Sequence, residues 1–390
     1  MNIERFKIHV EQEILDDLAE RLQKTRWPDE IPESGWDYGT NLEYMKKLVN
    51  YWLTTYDWRK MESYLNNFNN YITKINGTKI HFIHEKGKGT NPIPIIITHG
   101  WPGSFYQMLK LLGPLTDPVK YGGSPEDAFD VVIPSLPGYG FSETIRKKGR
   151  INVAEYWNKL MVETLGYKKY VAQGGDIGSG ITARLGRDNP ENVIAIHLTD
   201  AWSNINLNTP NITEDEKKYL NAINQWYEWE GAYEKIQGTK PQTLAYGLND
   251  SPVGLAAWIL EKFYAWSDHT GDMEQVFTKD ELVTNVMIYW ITQTINGSMR
   301  YYYEYQHERN PNKNWKIPTP TGISLFPKDI DQFPEEYAKR SYNVTKYSKM
   351  NIGGHFPALE QDKMLVEEIR SFFKSFRNEN LFNQEIIMDN

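Results

Sequence analysis

The chain has 390 residues, of which 40% are hydrophobic and 24% are charged, so it is expected to fold rather than stay disordered. Its 43 Lys and Arg against 51 Asp and Glu give a net charge of −8, which argues against binding to a nucleic-acid backbone. The absence of cysteine excludes disulfides, thiolate nucleophiles and cysteine-ligated metal sites. No apolar stretch approaches the ~20 residues that span a bilayer. The N-terminus has no signal-peptide core, so we expect a cytoplasmic location.

Residues 1–70 are predicted to form a helical and aromatic N-terminal extension. Leu15, Leu18 and Leu22 recur at the spacing of one helix face, which predicts a helix with one buried side. The extension contains no group of side chains that suggests catalysis. We therefore expect it to pack against the rest of the protein or to cover a site.

Beyond residue 70 the sequence alternates between strand and helix patterns. The dipeptide Asn76-Gly77 between two strand patterns is a strong hairpin signal. Fully apolar runs such as residues 93–98 are typical of strands buried in a parallel sheet. Strands that alternate with helices predict an α/β fold with a mostly parallel sheet flanked by helices. The eight predicted strands cover residues 71–75, 79–84, 93–98, 129–133, 170–172, 193–198, 317–325 and 343–347.

The alternation stops near residue 205, and the residues that follow are helical and rich in Trp and Tyr. We interpret them as a helical cap inserted into the α/β fold. The predicted organisation is an N-terminal extension (1–70), a first part of the core (71–205), the cap (206–315) and a second part of the core (316–390).

One segment carries the pattern Gly174-x-Asp176-x-Gly178 between a predicted strand and a predicted helix. In hydrolases this spacing forms a sharp turn that lifts a nucleophile above the sheet, with Asp here in the place of Ser. Glycines are needed because side chains beside so tight a turn would clash. The backbone N–H of Ile177 is expected to stabilise negative charge at the helix start. Asp176 is thus the candidate nucleophile, and a plain turn between strand and helix is the alternative.

The loop His99-Gly-Trp-Pro-Gly-Ser104 directly follows the predicted strand at 93–98. In α/β-hydrolases the loop after this strand supplies an oxyanion donor, which predicts that role for the backbone N–H of Trp101. His99 itself is expected to be a structural histidine that packs under the loop.

Two later loops offer a base and an acid for the nucleophile. His355 lies in a Gly-Gly-His-Phe segment after the last predicted strand, and Asp329 follows the strand at 317–325. Active-site groups of α/β proteins collect at such carboxyl ends of strands. The chain order Asp176, Asp329, His355 is the nucleophile, acid, histidine order of the α/β-hydrolases. It therefore predicts an α/β-hydrolase fold.

With these motifs the chain resembles the epoxide hydrolases of the α/β-hydrolase superfamily, in particular the microsomal-type branch with its N-terminal extension. The likeness runs through HGWPGSF, PGYGFS, QGGDIGS, LNDSPVGLAAWILEKF, FPKD and GGHF, and covers essentially the whole chain. It implies that Asp176 is the nucleophile, His355 the base and Asp329 the acid. The microsomal enzymes carry Glu in the place of Asp329. They also have a membrane anchor before the extension, which we do not expect in this chain.

The resemblance also implies that two cap tyrosines, Tyr233 and Tyr302, hold the epoxide oxygen. Because Tyr301 and Tyr303 flank Tyr302, the resemblance leaves open by one residue which of these tyrosines is the second donor. Ring opening develops an alkoxide, and phenols can hydrogen-bond and protonate it. A carboxylate can displace the ring oxygen and form an ester, which His355 and water then hydrolyse to give a vicinal diol. No metal or organic cofactor is expected.

Two alternatives stay open at this point. A haloalkane-type dehalogenase would use the same Asp nucleophile, but halide departure favours an indole N–H beside it, where this chain has Ile177. A non-catalytic protein with the same fold would bind a small apolar ligand. The expected partners are a small apolar epoxide and water, with no nucleic acid and no membrane span. A homodimer is one of the oligomeric states left open.

Overall fold

The core of the protein is one mixed sheet. The computed structural model describes residues 2–149, 151–308 and 316–377. Its strands are β1 (Ile3–Arg5), β2 (Asn70–Ile75), β3 (Thr78–Glu85), β4 (Ile93–Thr98), β5 (Phe129–Pro134), β6 (Tyr170–Gly174), β7 (Val193–Leu198), β8 (Ile317–Leu325) and β9 (Tyr342–Lys349). Within these ranges they form a nine-stranded sheet in the order β1-β2-β3-β5-β4-β6-β7-β8-β9. The pairs β1·β2, β2·β3 and β3·β5 are antiparallel. The remaining pairs, from β5 through β4, β6, β7 and β8 to β9, are parallel, which confirms the predicted fold class.

The prediction of eight strands is wrong by one. Ile3–Arg5 pairs antiparallel with β2, with Ile3 opposite Thr73 and Arg5 opposite Tyr71. All three residues of this edge strand are exposed, so no alternation of apolar and polar side chains marks it in the sequence. The other eight strands lie within two residues of their predicted limits.

Helices cover both faces of the sheet, and β4 and β5 are therefore buried along their whole length. Before β6 the helices are α1 (Gln12–Gln23), α2 (Leu42–Thr54), α3 (Trp58–Leu65), α4 (Leu109–Thr116) and α5 (Val153–Lys159), which a π-helical turn at Leu160–Thr164 extends. After β6 they are α6 (Ile177–Asp188), α7 (Glu214–Trp229), α8 (Ala232–Thr239), α9 (Pro241–Leu248), α10 (Pro252–Ala265), α11 (Lys279–Thr292), α12 (Ile295–His307), α13 (Glu335–Lys339), α14 (Pro357–Glu360) and α15 (Asp362–Phe373). Short 3₁₀ segments lie at Phe105–Met108, Pro118–Tyr121, Pro125–Asp127, Met273–Gln275 and Lys374–Phe376.

The helices α7 to α12 follow β7 and precede β8 in the chain. This agrees with the helical pattern of that part of the sequence. The predicted domain limits at residues 70 and 205 stay predictions. The limit at residue 315 and the end of the chain after residue 377 lie outside the described residues.

The N-terminal extension packs against α10 and α11. Trp36 stacks on Tyr264 with ring centres 3.9 Å apart. The hydroxyl of Tyr56 lies 3.0 Å from that of Thr284. The extension thus contacts at least two of the inserted helices.

In the described ranges, the helices lack the combined length and apolar character needed to cross a bilayer. The cytoplasmic location and the homodimer stay predictions.

Candidate active site

Asp176 lies at a sharp turn between β6 and α6. Its φ of +53° is uncommon for a residue with a side chain. Glycines make the turn possible: a Cβ at Gly174 would lie 2.2 Å from the carbonyl oxygen of Gly178. A Cβ at Gly178 would lie 2.1 Å from the carbonyl oxygen of Thr98. This is the strand–turn–helix geometry that the sequence pattern predicts.

The loop after β4 reaches the carboxylate of Asp176. The backbone N–H of Trp101 donates a hydrogen bond of 2.8 Å to Oδ1 of Asp176. A Cβ at Gly100 would lie only 2.2 Å from the same oxygen, so this residue must be glycine for the loop to approach. The backbone N–H of Ile177 makes no hydrogen bond to this carboxylate within the described part of the chain. Of the two predicted oxyanion donors, the N–H of Trp101 thus contacts the carboxylate of Asp176. The N–H of Ile177 belongs to the next residue in the chain and is not hydrogen-bonded to it among the described residues.

His99 is buried and engaged on both sides of its ring. Its Nε2 accepts a hydrogen bond of 3.2 Å from the backbone N–H of Leu136. Its Nδ1 lies 3.1 Å from the carbonyl oxygen of Gly100. Burial lowers the pKa of His99 to about 4, so the ring is neutral and braces the loop.

His355 and Asp329 form a buried hydrogen-bonded pair. Nδ1 of His355 lies 2.6 Å from Oδ1 of Asp329, which also accepts the N–H of Ile330 at 2.7 Å. The other ring nitrogen, Nε2, lies 3.6 Å from Oδ2 of Asp176. Burial alone would lower the pKa of His355, but Asp329 and Asp176 outweigh it and raise the pKa well above its usual value. The three residues predicted from their chain order therefore form a row in space.

The two predicted tyrosines lie next to each other and next to Trp101. Tyr233 on α8 and Tyr302 on α12 have ring centres 6.1 Å apart. Both rings contact Trp101, at 5.2 Å and 5.8 Å between centres. Burial, with smaller contributions that include the charge of Asp176, raises the pKa of each phenol well above 10, so both stay protonated. Tyr303 instead stacks on His307, with ring centres 4.0 Å apart.

A cavity of about 610 Å³ extends from Asp176 along these tyrosines. Its aromatic lining residues are Trp202, Tyr227, Tyr233, Tyr301, Tyr302, Tyr305, Tyr337 and Tyr342. Arg184, Arg187, Glu234 and Glu308 also line the cavity. Phenol rings offer large apolar faces and polar tips, so the aromatic part of the cavity suits an apolar body that carries a reactive oxygen. Another cleft, of about 830 Å³, lies between the N-terminal extension and α10 and touches none of the predicted site residues.

Sequence reasoning missed one buried acid beside the row, Asp200, which is 2% exposed. Its Oδ2 accepts a hydrogen bond of 2.5 Å from the backbone N–H of Asp176. Burial and the nearby charge of Asp329 raise the pKa of Asp200 well above its usual value. The available signal was its position: Asp200 directly follows β7, which lies between the strands that lead to Asp176 and Asp329.

Asp200, Asp329 and His355 also bring potential metal-ligand atoms within 4.8 Å of one another. In the structure these groups already have other partners. His355 shares a hydrogen bond with Asp329, and Asp200 accepts one from the backbone of Asp176. The arrangement therefore suits the handling of protons around an imidazole.

Two family models match the chain. Residues 3–108 match the model described as epoxide hydrolase N terminus. Residues 93–238 match the model described as alpha/beta hydrolase fold, the fold expected from the sequence. Together they span the extension, the first strands of the sheet, the turn at Asp176 and the start of the inserted helices.

Known proteins align along nearly all of the chain. Epoxide hydrolase 1 of Sus scrofa is 38% identical over 402 residues, which cover 95% of this chain and 88% of that protein. The crystal structure of the juvenile hormone epoxide hydrolase of the silkworm Bombyx mori superposes with a TM-score of 0.88 at 29% identity, covering 96% of this chain and 95% of that one. The structure of the Aspergillus niger epoxide hydrolase gives 0.84 at 28% identity, covering 96% and 97%.

Proposed function

The chain belongs to the epoxide hydrolase family with the α/β-hydrolase fold, and we propose that it converts an apolar epoxide and water to a vicinal diol through an ester on Asp176. The observation that supports this most strongly is the row Asp176–His355–Asp329 beside a cavity that Tyr233 and Tyr302 line. A carboxylate nucleophile, a base and two phenol donors are the groups that this reaction needs.

In the first step, Oδ2 of Asp176 attacks a ring carbon while Oδ1 stays with the N–H of Trp101. The carbon–oxygen bond of the ring breaks, and the oxygen takes a proton from Tyr233 or Tyr302. Both phenols are protonated at neutral pH because burial raises the pKa of each. The result is a hydroxyalkyl ester and a tyrosinate.

In the second step, water attacks the ester carbonyl and gives its proton to Nε2 of His355. Asp329 holds the other ring nitrogen and stabilises the imidazolium that forms. The N–H of Trp101, joined by that of Ile177, stabilises the oxyanion. The acyl–oxygen bond then breaks, the departing alkoxide takes the proton from the imidazolium, and the new carboxylic acid returns its proton to the tyrosinate through solvent.

One experiment tests this route directly. The protein, in excess over a styrene-type epoxide, reacts for a single turnover in heavy-oxygen water and is then digested. We expect an unlabelled diol and one heavy oxygen in the peptide that contains Asp176, because the diol takes its second oxygen from the carboxylate. A label in the first-turnover diol with none in the peptide would mean that water attacks the epoxide directly. Halide release from a haloalkane without diol formation would favour a dehalogenase, and binding without turnover would favour a receptor.

The tyrosines are expected to act on the first step alone. Tyr233→Phe and Tyr302→Phe should each slow ester formation by about 10²-fold, because each removes one donor to the developing alkoxide. The rate of ester formation is measured in a rapid-mixing single turnover. Tyr303→Phe is the matched control on the same helix, since its ring stacks on His307 and lies outside the cavity lining. If all three variants formed the ester at the same rate, the two phenols would have no role as proton donors in the first step.

We also propose that α7 to α12 act as the cap that carries these phenols, with the N-terminal extension as their outer support. The contact of Trp36 with Tyr264 supports this division. The aromatic lining of the cavity favours an apolar epoxide as the substrate.

A further inference from the structure

Two separate cavities meet at Asp176. The larger, of about 610 Å³, contains the phenols but not His355 in its lining. The smaller has a volume of about 20 Å³ and touches both Asp176 and His355. A substrate that enters the large cavity thus reaches the carboxylate of Asp176 from one side. The imidazole of His355 borders the small cavity instead.

The small cavity contains a buried amide with an unpartnered oxygen. Gln173 lies in β6, three residues before Asp176, and is 1% exposed. Its Oε1 is fully buried and has no hydrogen-bond partner among the described residues. Buried polar groups in native proteins are nearly always paired, so such an atom next to a cavity points to a small polar ligand.

The size and the lining of the cavity fit one water molecule. About 10–15 Å³ is enough for a single water, provided that two to four polar partners surround it. The volume here is about 20 Å³, and the polar side chains of the lining are those of Gln107, Gln173, Thr199, Asp176 and His355. An organic substrate could not enter so small a space.

We propose that this cavity binds the water that hydrolyses the ester, and that Gln173 is the positioning residue for that water. The inference rests on the proposed function, because only an ester on Asp176 needs a water on the side of His355. The water's oxygen would form the new bond to the acyl carbon of Asp176, and its proton would pass to Nε2 of His355. The diol oxygen would leave into the large cavity when the acyl–oxygen bond breaks.

The chemistry of an amide suits this position. Oε1 of Gln173 can accept one O–H of the water while Nε2 of His355 accepts the other, which leaves a lone pair of the water for the acyl carbon. An amide does not titrate, so Gln173 cannot compete with His355 for the proton. A carboxylate in its place would add another negative charge beside those of Asp176 and Asp329.

Gln173→Met tests the proposal, since methionine has nearly the same length and lacks the amide. Hydrolysis of the ester should slow while its formation does not, because a poorly placed nucleophile costs roughly ten- to a hundredfold in rate. We expect kcat and KM to fall together by at least about tenfold, with kcat/KM changed by less than about threefold. The ester on Asp176 should then accumulate, which intact-mass measurement detects.

Gln237→Leu is the matched control, since Gln237 is a buried glutamine that lines neither cavity and whose amide nitrogen has no hydrogen-bond partner in the described part of the chain. It should not produce the joint fall of kcat and KM. Gln173→Leu is analysed in the same way in case the methionine variant fails to fold. An unchanged kcat, or a kcat/KM that falls in parallel with kcat, would overturn the role of Gln173. Absence of diol with the unchanged protein would instead overturn the proposed function.

Discussion

Replacing Asp176 with alanine is expected to lower diol formation by at least about four orders of magnitude, because the variant lacks the carboxylate that forms the ester. The turn itself should survive, since Gly174 and Gly178 keep the close backbone contacts that shape it. Diol formation from a styrene-type epoxide is followed by chromatography over hours, alongside thermal unfolding of the variant. The unchanged protein and the variant should unfold at similar temperatures while only the first produces diol.

Asp331→Asn is the control for the loss of a buried carboxylate near the same site. Oδ1 of Asp331 accepts a hydrogen bond of 2.8 Å from the hydroxyl of Tyr219, and Oδ2 accepts one of 3.2 Å from Nε1 of Trp202. Asp331 lines neither of the cavities that meet at Asp176. Its variant should therefore form diol at a rate of the same order as the unchanged protein. Full activity of Asp176→Ala would end the ester mechanism, whatever the control shows.

The grouping of the proposed nucleophile, base and acid could be predicted because each lies in a turn or loop that follows the carboxyl end of a strand. A parallel sheet brings the carboxyl ends of its strands to one edge, so chain order alone places Asp176, Asp329 and His355 together. The structure adds the distances: Oδ1 of Asp329 lies 2.6 Å from Nδ1 of His355, and Oδ2 of Asp176 lies 3.6 Å from Nε2 of the same ring. The sharp turn could also be predicted from the sequence, because Gly174 and Gly178 flank Asp176.

Other features depend on packing that the sequence does not display. Nothing in the pattern of β6 distinguishes Gln173 from any polar residue in a buried strand, because its significance lies in an unpartnered oxygen beside a cavity. Asp200 depends on its contact with the backbone of Asp176. The direction of each tyrosine depends on the helix: Tyr303 stacks on His307, whereas Tyr302 contacts Tyr233 and lines the cavity together with Tyr301. The edge strand Ile3–Arg5 is too short and too exposed to have a pattern.

Replacing His355 with glutamine is expected to trap the ester. The first step needs only Asp176 and the phenols, so the variant should consume one equivalent of epoxide in a burst. The second step loses its base, which we expect to slow hydrolysis by about 10³-fold or more. Intact-mass measurement after mixing should show the protein heavier by the mass of one epoxide, and digestion should place the addition on Asp176.

His307→Gln is the matched control, because His307 is an exposed histidine that stacks on Tyr303 and lines neither cavity. It should turn over without accumulating the ester. Turnover of His355→Gln at the rate of the unchanged protein would assign the base elsewhere. A mass addition on a residue other than Asp176 would move the nucleophile.

In the proposed mechanism, the electrostatics of the row favour His355 as a base only after the ester has formed. In the free protein the charges of Asp329 and Asp176 hold the pKa of His355 well above its usual value, which favours the imidazolium. Esterification neutralises Asp176 and removes one of these charges, so the pKa of His355 falls and the imidazole gives up its proton more readily. The rate of ester hydrolysis should therefore fall only when the pH drops below the pKa that His355 has in the ester form. The decay of a preformed ester in the unchanged protein, followed against pH, should have its acid limb below the pH at which His355 titrates in the free protein.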